Sequence, residues 1–225
     1  GGEPLLHKDT FKVLDYIIKE ENPNRELVLS INSNLMVPDN LIDEFIEKVN
    51  IITKEKRVKE FQMFTSVDTW GKDAEYIRNG LVFDKFWDNC NKFLRECPIP
   101  SLTFMVTYNA LSVFNFEKFI EGAYKLKTEY MNKSRIFPSS VCVIDISYLR
   151  YPTHQTVKVL YKKFNSLIKK QIKLMKSLQY SDTKECFTDM EISKLERILD
   201  WMNSQNNKKE LYRNRKDFGN FFREH

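Results

Sequence analysis

The feature that most constrains the fold of this chain is a regular alternation between short apolar segments and longer amphipathic ones. The apolar segments lie at 27–31, 61–67, 102–108 and 141–146. Their length and their β-branched and aromatic residues are typical of strands, whereas the segments between them carry apolar residues at helical spacings of three and four. This order predicts right-handed βαβ units and a parallel sheet. The apolar runs further predict strands that are covered on both faces.

Helical patterns fill the stretches between the predicted strands. The first predicted helix is capped by Asp9 or Thr10, and the second begins at Pro38. Asn115 is predicted to cap the helix between the last two strands. After the second strand, 68–80 is predicted to be a polar loop that leads toward a helix.

The chain changes character after the last predicted strand. One long apolar stripe runs over 157–178, and the opposite side of that segment is basic, with Lys158, Lys162, Lys163, Lys169, Lys170, Lys173 and Lys176. Thr188 and Glu191 then form a capping box at the start of a further helix. We therefore predict two domains, an α/β domain over 1–155 and a basic helical region over 156–225.

Charge is distributed unevenly along the chain, whose formal net charge is +5. Residues 1–150 contain 20 basic and 22 acidic side chains, whereas residues 151–225 contain 16 basic and 9 acidic ones. The first part therefore has no excess of basic side chains to bind a polyanion such as nucleic acid, and only the second part is basic enough to attract one.

The sequence contains neither a transmembrane segment nor a cysteine motif for a metal site. No apolar run approaches the roughly 20 residues that a transmembrane helix needs, so we expect no membrane partner. The four cysteines, Cys90, Cys97, Cys142 and Cys186, show no CxxC spacing, so they do not predict a zinc or cluster site. Reduced structural thiols in the cytoplasm are the expectation for such a chain.

Polar residues follow each predicted strand. They are Asn32 and Asn34, then Ser66 and Asp68, then Thr107 and Asn109, and finally Ser147. In parallel α/β folds the carboxyl ends of the strands meet at one edge, and ligands bind there. The pattern predicts a binding site at this edge. Loops are polar in general, however, so the alternative that these residues mark ordinary loops stays open.

The end of the second strand combines three useful functional groups. Ser66 and Asp68 are two residues apart, so both side chains point to the same side if the strand persists through them. Arg78 lies on the following connection and can reach the same opening. A hydroxyl, a carboxylate and a guanidinium together suit a zwitterionic or ribose-bearing ligand. The alternative is a capped loop with a surface salt bridge.

Four short motifs, in this order along the chain, resemble those of the radical S-adenosylmethionine (radical SAM) superfamily and its twitch-domain members. Gly1-Gly2-Glu3-Pro4 resembles the GGEP motif, and Ser33-Asn34-Leu35 resembles the T/S-N-L segment that follows the next strand. Thr65-Ser66-Val67-Asp68 resembles the S-x-D strand end, and Glu75-Tyr76-Ile77-Arg78-Asn79-Gly80 resembles the E-Y-I-R-x-G element. The resemblance covers roughly residues 1–155.

The resemblance implies a fold and a set of binding residues. The fold is a partial (β/α)6 TIM-type barrel, here missing its first strand and followed by C-terminal helices. The residues that would hold S-adenosylmethionine are Gly1, Gly2, Glu3, Pro4, Asn34, Ser66, Asp68, Arg78 and Asn109. The GGEP backbone would receive the methionine amino group, because glycines let a ligand approach closely. Ser66 and Arg78 would hold the methionine carboxylate. Asp68 or Asn34 would meet the ribose or a nearby polar group, and Asn109 is a further candidate.

One part of the family pattern is absent from this sequence. The family binds a [4Fe–4S] cluster through a CxxxCxxC motif that precedes GGEP, and none of the four cysteines has that spacing or position. The expectation is that this chain is an internal fragment and that the cluster ligands lie upstream of it. A relative that has lost its chemistry is the alternative.

The resemblance also implies a reaction. An electron donor such as flavodoxin or ferredoxin reduces the cluster, S-adenosylmethionine is cleaved, and the 5′-deoxyadenosyl radical removes a hydrogen atom from the substrate. The protein supplies placement and shielding, while the cofactor supplies the reactivity. The substrate is unknown and can be a peptide or a small metabolite. We expect the protein to be a cytoplasmic enzyme.

Two other functions are weighed against this one. The first is a non-catalytic α/β module that binds nucleic acid or a partner through the basic C-terminal helix. No aromatic residues alternate with the lysines, as single-strand binding requires, so we do not favour nucleic acid. The second is an unrelated α/β barrel that binds a phosphorylated metabolite, but no glycine-rich loop follows a strand.

Overall fold

Four parallel strands form the central sheet, and they follow one another in the sheet as they do in the sequence. They are β1 (Val28–Asn32), β2 (Glu60–Ser66), β3 (Leu102–Tyr108) and β4 (Cys142–Tyr148). The structure is a computed structural model that describes residues 2–99, 101–133, 138–182, 184–204 and 207–224. The α/β class and the parallel sheet that the alternation predicts are confirmed. No closure of the sheet into a barrel is detected in the part of the chain that is described.

The helices of the described residues surround this sheet. They are α1 (Lys8–Lys19), α2 (Asp39–Lys54), α3 (Gly71–Ile77), α4 (Phe83–Glu96), α5 (Phe116–Tyr130), α6 (Asn165–Ser177), α7 (Asp189–Asn203) and α8 (Lys208–Glu224). Short 3-10 helices lie at Pro4–Leu6, Met131–Lys133, Pro138–Ser140, Thr153–Gln155, Val157–Val159 and Lys162–Phe164. A small antiparallel hairpin pairs β5 (Tyr180–Ser181) with β6 (Lys184–Glu185).

The connecting helices pack against one face of the sheet. The ring of Phe61 in β2 lies 6.0 Å from that of Phe45 in α2. The ring of Phe104 in β3 lies 5.2 Å from that of Phe119 in α5, and Trp87 of α4 stacks on Phe104 at 5.6 Å. Helices α2, α4 and α5 therefore share one side of the sheet, and the aromatic core lies between the two layers.

The other face of the sheet is only partly covered, so the prediction that both faces are buried is wrong. Alternate residues of β2, β3 and β4 are buried up to Ile146, and the residues between them are partly or largely exposed. Ser66, Met105 and Asp145 are paired across the three strands and lie on this second face. Much of the β2 sequence shows the same alternation between apolar and polar residues, because successive side chains along a strand point to opposite faces of the sheet.

Several element boundaries differ from the prediction. The residues after β2 contain helix α3, whereas a loop is predicted there. The cap of α1 is His7 rather than Asp9 or Thr10. Asn115 does precede α5, but its side chain donates to Asp73 Oδ2 at 2.6 Å instead of capping the helix. The capping box of Thr188 and Glu191 is confirmed.

The segment after residue 155 packs on the sheet and its helices. The apolar stripe over 157–178 is divided between two 3-10 helices and α6, rather than forming one long helix. Gln171 of α6 is buried and accepts from the hydroxyl of Tyr108 at 2.7 Å. Helix α7 packs along β4. The proposed boundary near residue 155 stays a prediction.

Helix α7 covers the outer edge of β4. Glu191 Oε1 accepts the backbone N–H of Ile144 at 2.9 Å, so a carboxylate takes the place of a neighbouring strand. Its other oxygen accepts from the backbone N–H of Thr188 at 2.8 Å. Lys127 of α5 lies 3.2 Å from Glu191 Oε1 and also donates to the carbonyl of Ser139. An open strand edge would invite pairing with another chain, and this network closes it.

Candidate functional site

The residues that follow the four strands form the candidate site. We call this edge of the sheet the rim, and define it by 33–34 after β1, 67–68 after β2, 109 after β3 and 149–150 after β4. The strands are parallel and neighbouring, so the rim lies along one edge of the sheet. The ladder extends to the rim, because Ser33 donates its N–H to Phe64 and Val67 donates to Met105.

Glu3 ties the N-terminal turn to the rim. Its Oε1 accepts from the hydroxyl of Ser33 at 2.5 Å and from the N–H of Leu5 at 3.0 Å. Its Oε2 accepts from the N–H of Asn34 at 2.7 Å. The carboxylate is therefore bound within the protein, and it places the GGEP turn at the end of β1.

Gly2 and Pro4 complete the described part of this turn, while Gly1 lies outside the described residues. Gly2 is exposed, and a Cβ built on it would meet no atom within 4 Å. Pro4 begins the 3-10 helix in which Leu5 is fully buried. Buried Leu5 thus anchors a turn in which Gly2 is exposed.

Asn34 lies at the end of β1 and is exposed. Its Oδ1 accepts from the N–H of Met36 at 2.8 Å, which closes a local turn. The following residue, Leu35, has a positive φ of 54° and is fully buried. Asn89 of α4 donates to the carbonyl of Leu35 at 2.7 Å and stabilises this unusual backbone.

Asp68 and Arg78 form the central ion pair of the rim. Arg78 Nη2 donates to Asp68 Oδ1 at 3.1 Å. Arg78 Nε lies 2.8 Å from Oδ2, although its N–H is not aligned well enough to count as a hydrogen bond. Asp68 Oδ1 also accepts the N–H of Thr107 at 2.8 Å. The carboxylate thus bridges the ends of β2 and β3 and fixes one edge of the guanidinium.

The two side chains of this pair differ in exposure. The Asp68 side chain is 5% exposed, whereas that of Arg78 is 33% exposed. A guanidinium has five N–H donors in a planar fork, and Asp68 engages the Nε and Nη2 side only. Arg78 is therefore held in place with donors left for an oxyanion. Ser66, the last residue of β2, is partly exposed on the second face of the sheet nearby.

Asn109 has a structural partner for each part of its side chain amide. Its Nδ2 donates to the carbonyl of Thr107 at 3.1 Å, and its Oδ1 accepts from the N–H of Leu111 at 2.9 Å. The residue is 6% exposed. In this structure Asn109 shapes the turn after β3, and its role toward a ligand stays a prediction.

The last helix reaches the same end of the molecule. Helix α8 packs on the 3-10 helices Thr153–Gln155 and Val157–Val159 that follow β4. The ring of Phe221 lies 6.2 Å from the ring of Tyr76 and 6.2 Å from that of His154. Tyr76 belongs to α3, which ends just before Arg78, so the end of α8 packs on the helix that leads to the central ion pair. The sequence pattern does not predict this helix.

The four cysteines do not form a metal site. All are buried, and burial raises the pKa of the Cys97 and Cys142 thiols to about 12 and that of Cys90 well above its ordinary value. Cys142 begins β4, at the opposite end from the rim. Within the described ranges no three His, Cys, Asp or Glu side chains are grouped to hold a metal ion. These residues therefore do not fit a [4Fe–4S] cluster.

The basic face of α6 is partly neutralised by acids of neighbouring helices. Lys170 lies 2.9 Å from Glu117 of α5, and Lys176 lies 2.6 Å from Glu196 of α7. The ammonium of Lys158 lies over the ring of Trp201, 3.7 Å from its centroid. The lysines thus contribute less free positive charge than the sequence alone indicates.

Comparison with known proteins adds no relative. No protein-family model matches the chain, and no curated protein and no solved structure matches it. None of the helices in the described segments is sufficiently long and apolar for a membrane span.

Proposed function

We propose that this chain is the S-adenosylmethionine-binding part of a radical SAM enzyme. The observation that carries the proposal is the placement of the four family-like motifs, whose described residues lie at the rim, on the turns that border it or in helix α3 that leads to it. Glu3 joins the GGEP turn to Asn34, and Asp68 joins Arg78 to the end of β3. Motifs separated by up to 75 residues in sequence are thus brought to one edge of the sheet.

We also propose that the sheet is part of a (β/α)6 TIM-type barrel. Sequential parallel strands whose connecting helices α2, α4 and α5 lie on one face are the arrangement that such a barrel requires. Six units would need two further strands. Helix α7 occupies the edge of β4, whereas β1 is the last of the described strands on its side and Val28 is 45% exposed. Further strands would therefore join at β1.

The residues of the rim fit S-adenosylmethionine better than they fit the cluster. Arg78 would bind the methionine carboxylate with the N–H groups that Asp68 leaves, and Ser66 would add a hydroxyl. The exposed Gly2 backbone would accept the amino group. Asp68 then acts mainly by orienting Arg78, and Asn34 is the exposed candidate for the ribose. When bound with a reduced cluster, S-adenosylmethionine supplies a radical that removes a hydrogen atom from a substrate.

We assign the cluster ligands to residues outside this sequence, because the described cysteines are buried away from the rim. The substrate, a peptide or small metabolite, and an electron donor such as flavodoxin or ferredoxin would also come from outside. The chain's own contribution is to bind and orient the cofactor and to limit the access of water around it.

Binding of S-adenosylmethionine to the purified chain tests the proposal. Equilibrium dialysis should show saturable binding that S-adenosylhomocysteine displaces. Arg78→Ala should weaken binding about tenfold or more, because it removes a charge-assisted hydrogen bond. Arg25→Ala, which removes an exposed arginine elsewhere, is the matched control and should bind normally. A folded chain that does not bind the cofactor contradicts the proposal, and equal binding by Arg78→Ala contradicts the assignment of Arg78.

A further inference from the structure

A cavity of about 320 Å³ lies beside β4 and adjoins the rim at Arg150, the one residue that the two share. We call it the β4 groove. It is lined by 145–148 of the strand, by Arg150 just after it, and by Lys194 and Arg197 of α7. Three of these seven residues are cationic and one, Asp145, is acidic.

The sequence places these groups together through two simple periodicities. Asp145 and Ser147 are two residues apart on a strand and point to the same face. Lys194 and Arg197 are three residues apart on a helix and share a side of it. Helix α7 runs along β4, since Glu191 near its start binds Ile144 and Trp201 near its end stacks on Tyr148. The two rows of side chains therefore border one groove.

Two of the cations are held by their neighbours. Lys194 Nζ lies 2.5 Å from Asp145 Oδ1. Arg150 donates from Nη2 to the hydroxyl of Tyr148 at 3.2 Å, and its guanidinium carbon lies 5.2 Å from the centre of that ring. Arg197 is exposed. Counting Asp145 against the three cations leaves the groove with a net formal charge of +2.

We propose that the β4 groove binds the phosphate of a small phosphomonoester. A phosphomonoester carries about −1.5 to −2 charge at neutral pH, which matches the charge of the groove. A carboxylate would leave the groove with excess positive charge. Phosphate also offers three strong acceptor oxygens, and the groove offers an ammonium and two guanidinium groups as donors. The Ser147 hydroxyl donates to the carbonyl of Val106 at 3.2 Å, so it is not counted among these donors. Arginines provide planar, two-pronged recognition of such an oxyanion.

The position of the groove suggests how this site would serve a reaction. Asp145 is paired with Met105, and Met105 is paired with Ser66. Two strand spacings of about 4.8 Å place the groove about 10 Å from Ser66 on the same face of the sheet. A substrate anchored by its phosphate in the groove would extend toward the rim. This last step rests on the proposed function, whereas the anion site rests on the groove alone.

Titration of the purified chain with glycerol 2-phosphate tests the site, with phosphorus NMR as the readout, and displacement of the bound phosphomonoester by acetate measures carboxylate binding. The wild type should bind the phosphomonoester saturably and more tightly than acetate. Arg197→Gln should weaken this binding about tenfold, the loss expected for one charge-assisted hydrogen bond. Lys169→Gln removes a charge from the exposed side of α6 and should leave binding unchanged. Absent binding, equal weakening by both variants, or acetate binding as tight as phosphate would each overturn the proposal.

Binding of S-adenosylmethionine, measured on the same variants, separates this site from the rim. Arg197→Gln should bind the cofactor as the wild type does, because Arg197 is not part of the rim. Phosphate binding without cofactor binding would keep the groove and remove the proposed function. Cofactor binding without phosphate binding would support the proposed function and contradict the phosphate site in the groove.

Discussion

Two carboxylate–cation pairs in this protein have the same chemistry and different surroundings. Lys127 and Glu191 are closed within the protein, with side chains 0% and 3% exposed. Asp68 and Arg78 lie at the rim, where only the carboxylate is buried. In the first pair the partners of both ions come from the protein. In the second pair the cation keeps a face toward solvent.

The difference separates a structural ion pair from a binding one. The carboxylate of Glu191 serves an unpaired strand edge and a helix start, so its four contacts all belong to the fold. Asp68 also supports the fold through Thr107, but it leaves Arg78 with donors that nothing in its ion pair uses. Removing a member of the first pair should cost stability, and removing a member of the second should cost mainly binding.

The largest expected effect comes from breaking the closed pair on one side. Lys127→Met leaves the Glu191 carboxylate buried without its cation, so the free energy of unfolding should fall by about 3–5 kcal/mol. Urea unfolding followed by circular dichroism measures this loss. Lys170→Met provides the control, because its pair with Glu117 is 70% exposed on the lysine side and should contribute at most about 1 kcal/mol. Equal losses of unfolding free energy in the two variants would show that the buried pair stabilises the fold no more than an exposed pair does, which would contradict the comparison.

The second effect should be smaller in stability and larger in binding. Asp68→Asn keeps an oxygen for the N–H of Thr107 but loses the ion pair with Arg78. Because the Arg78 side chain is one-third exposed, solvent screening limits the loss of unfolding free energy to about 1–2 kcal/mol. Affinity for S-adenosylmethionine should fall about tenfold, since Arg78 is no longer oriented. Urea unfolding and equilibrium dialysis on one preparation give both numbers, and a stability loss as large as that of Lys127→Met would contradict the comparison.

Much of the fold can be predicted from the sequence because the signals are local. Strand β3 is predicted with its observed bounds, and the other three are found within two residues at each end. The β2 alternation also carries the information that one face is partly exposed, but only when it is read residue by residue. Helices α3 and α8 are missed. Helix α3 is only seven residues long and begins at Gly71, whose φ is 62°, so its pattern is too short to detect.

The site is predicted less completely, because its contacts join distant segments. Arg78 and Asp68 can be picked out as a pair, since they are ten residues apart around the end of β2. The hydrogen bonds from Ser33 and Asn34 to the Glu3 carboxylate cannot be predicted from sequence spacing, because a turn and a whole helix separate these residues. The β4 groove needs α7 beside β4, which no local pattern indicates. Only the spacing of Lys194 and Arg197 on one helix side could have drawn attention to it.

The smallest expected effect uses Cys142 as a probe of the closed pair. This thiol is fully buried near Lys127 and Glu191, and burial raises its pKa to about 12, with Lys127 acting in the opposite direction. In the unfolded chain the same thiol ionises near pH 8.5. The folded thiol therefore stays protonated while the unfolded one loses its proton, so stability is fully present below about pH 8.5 and falls as the pH rises toward 12.

Between pH 8 and pH 9.5 this thiol should lower the free energy of unfolding by about 1 kcal/mol. Urea unfolding of the wild type and of Cys142→Ala at both pH values isolates the contribution of this thiol. The fall in unfolding free energy between the two pH values should be about 1 kcal/mol smaller in the variant than in the wild type. Ile144→Val is the control for a packing change beside the same pair without a titrating group, and it should keep the wild-type difference. If Cys142→Ala keeps it as well, water reaches the thiol in the folded state. Water would then reach the surroundings of Lys127 and Glu191 as readily as it reaches the rim. The two ion pairs would differ only in their hydrogen bonds.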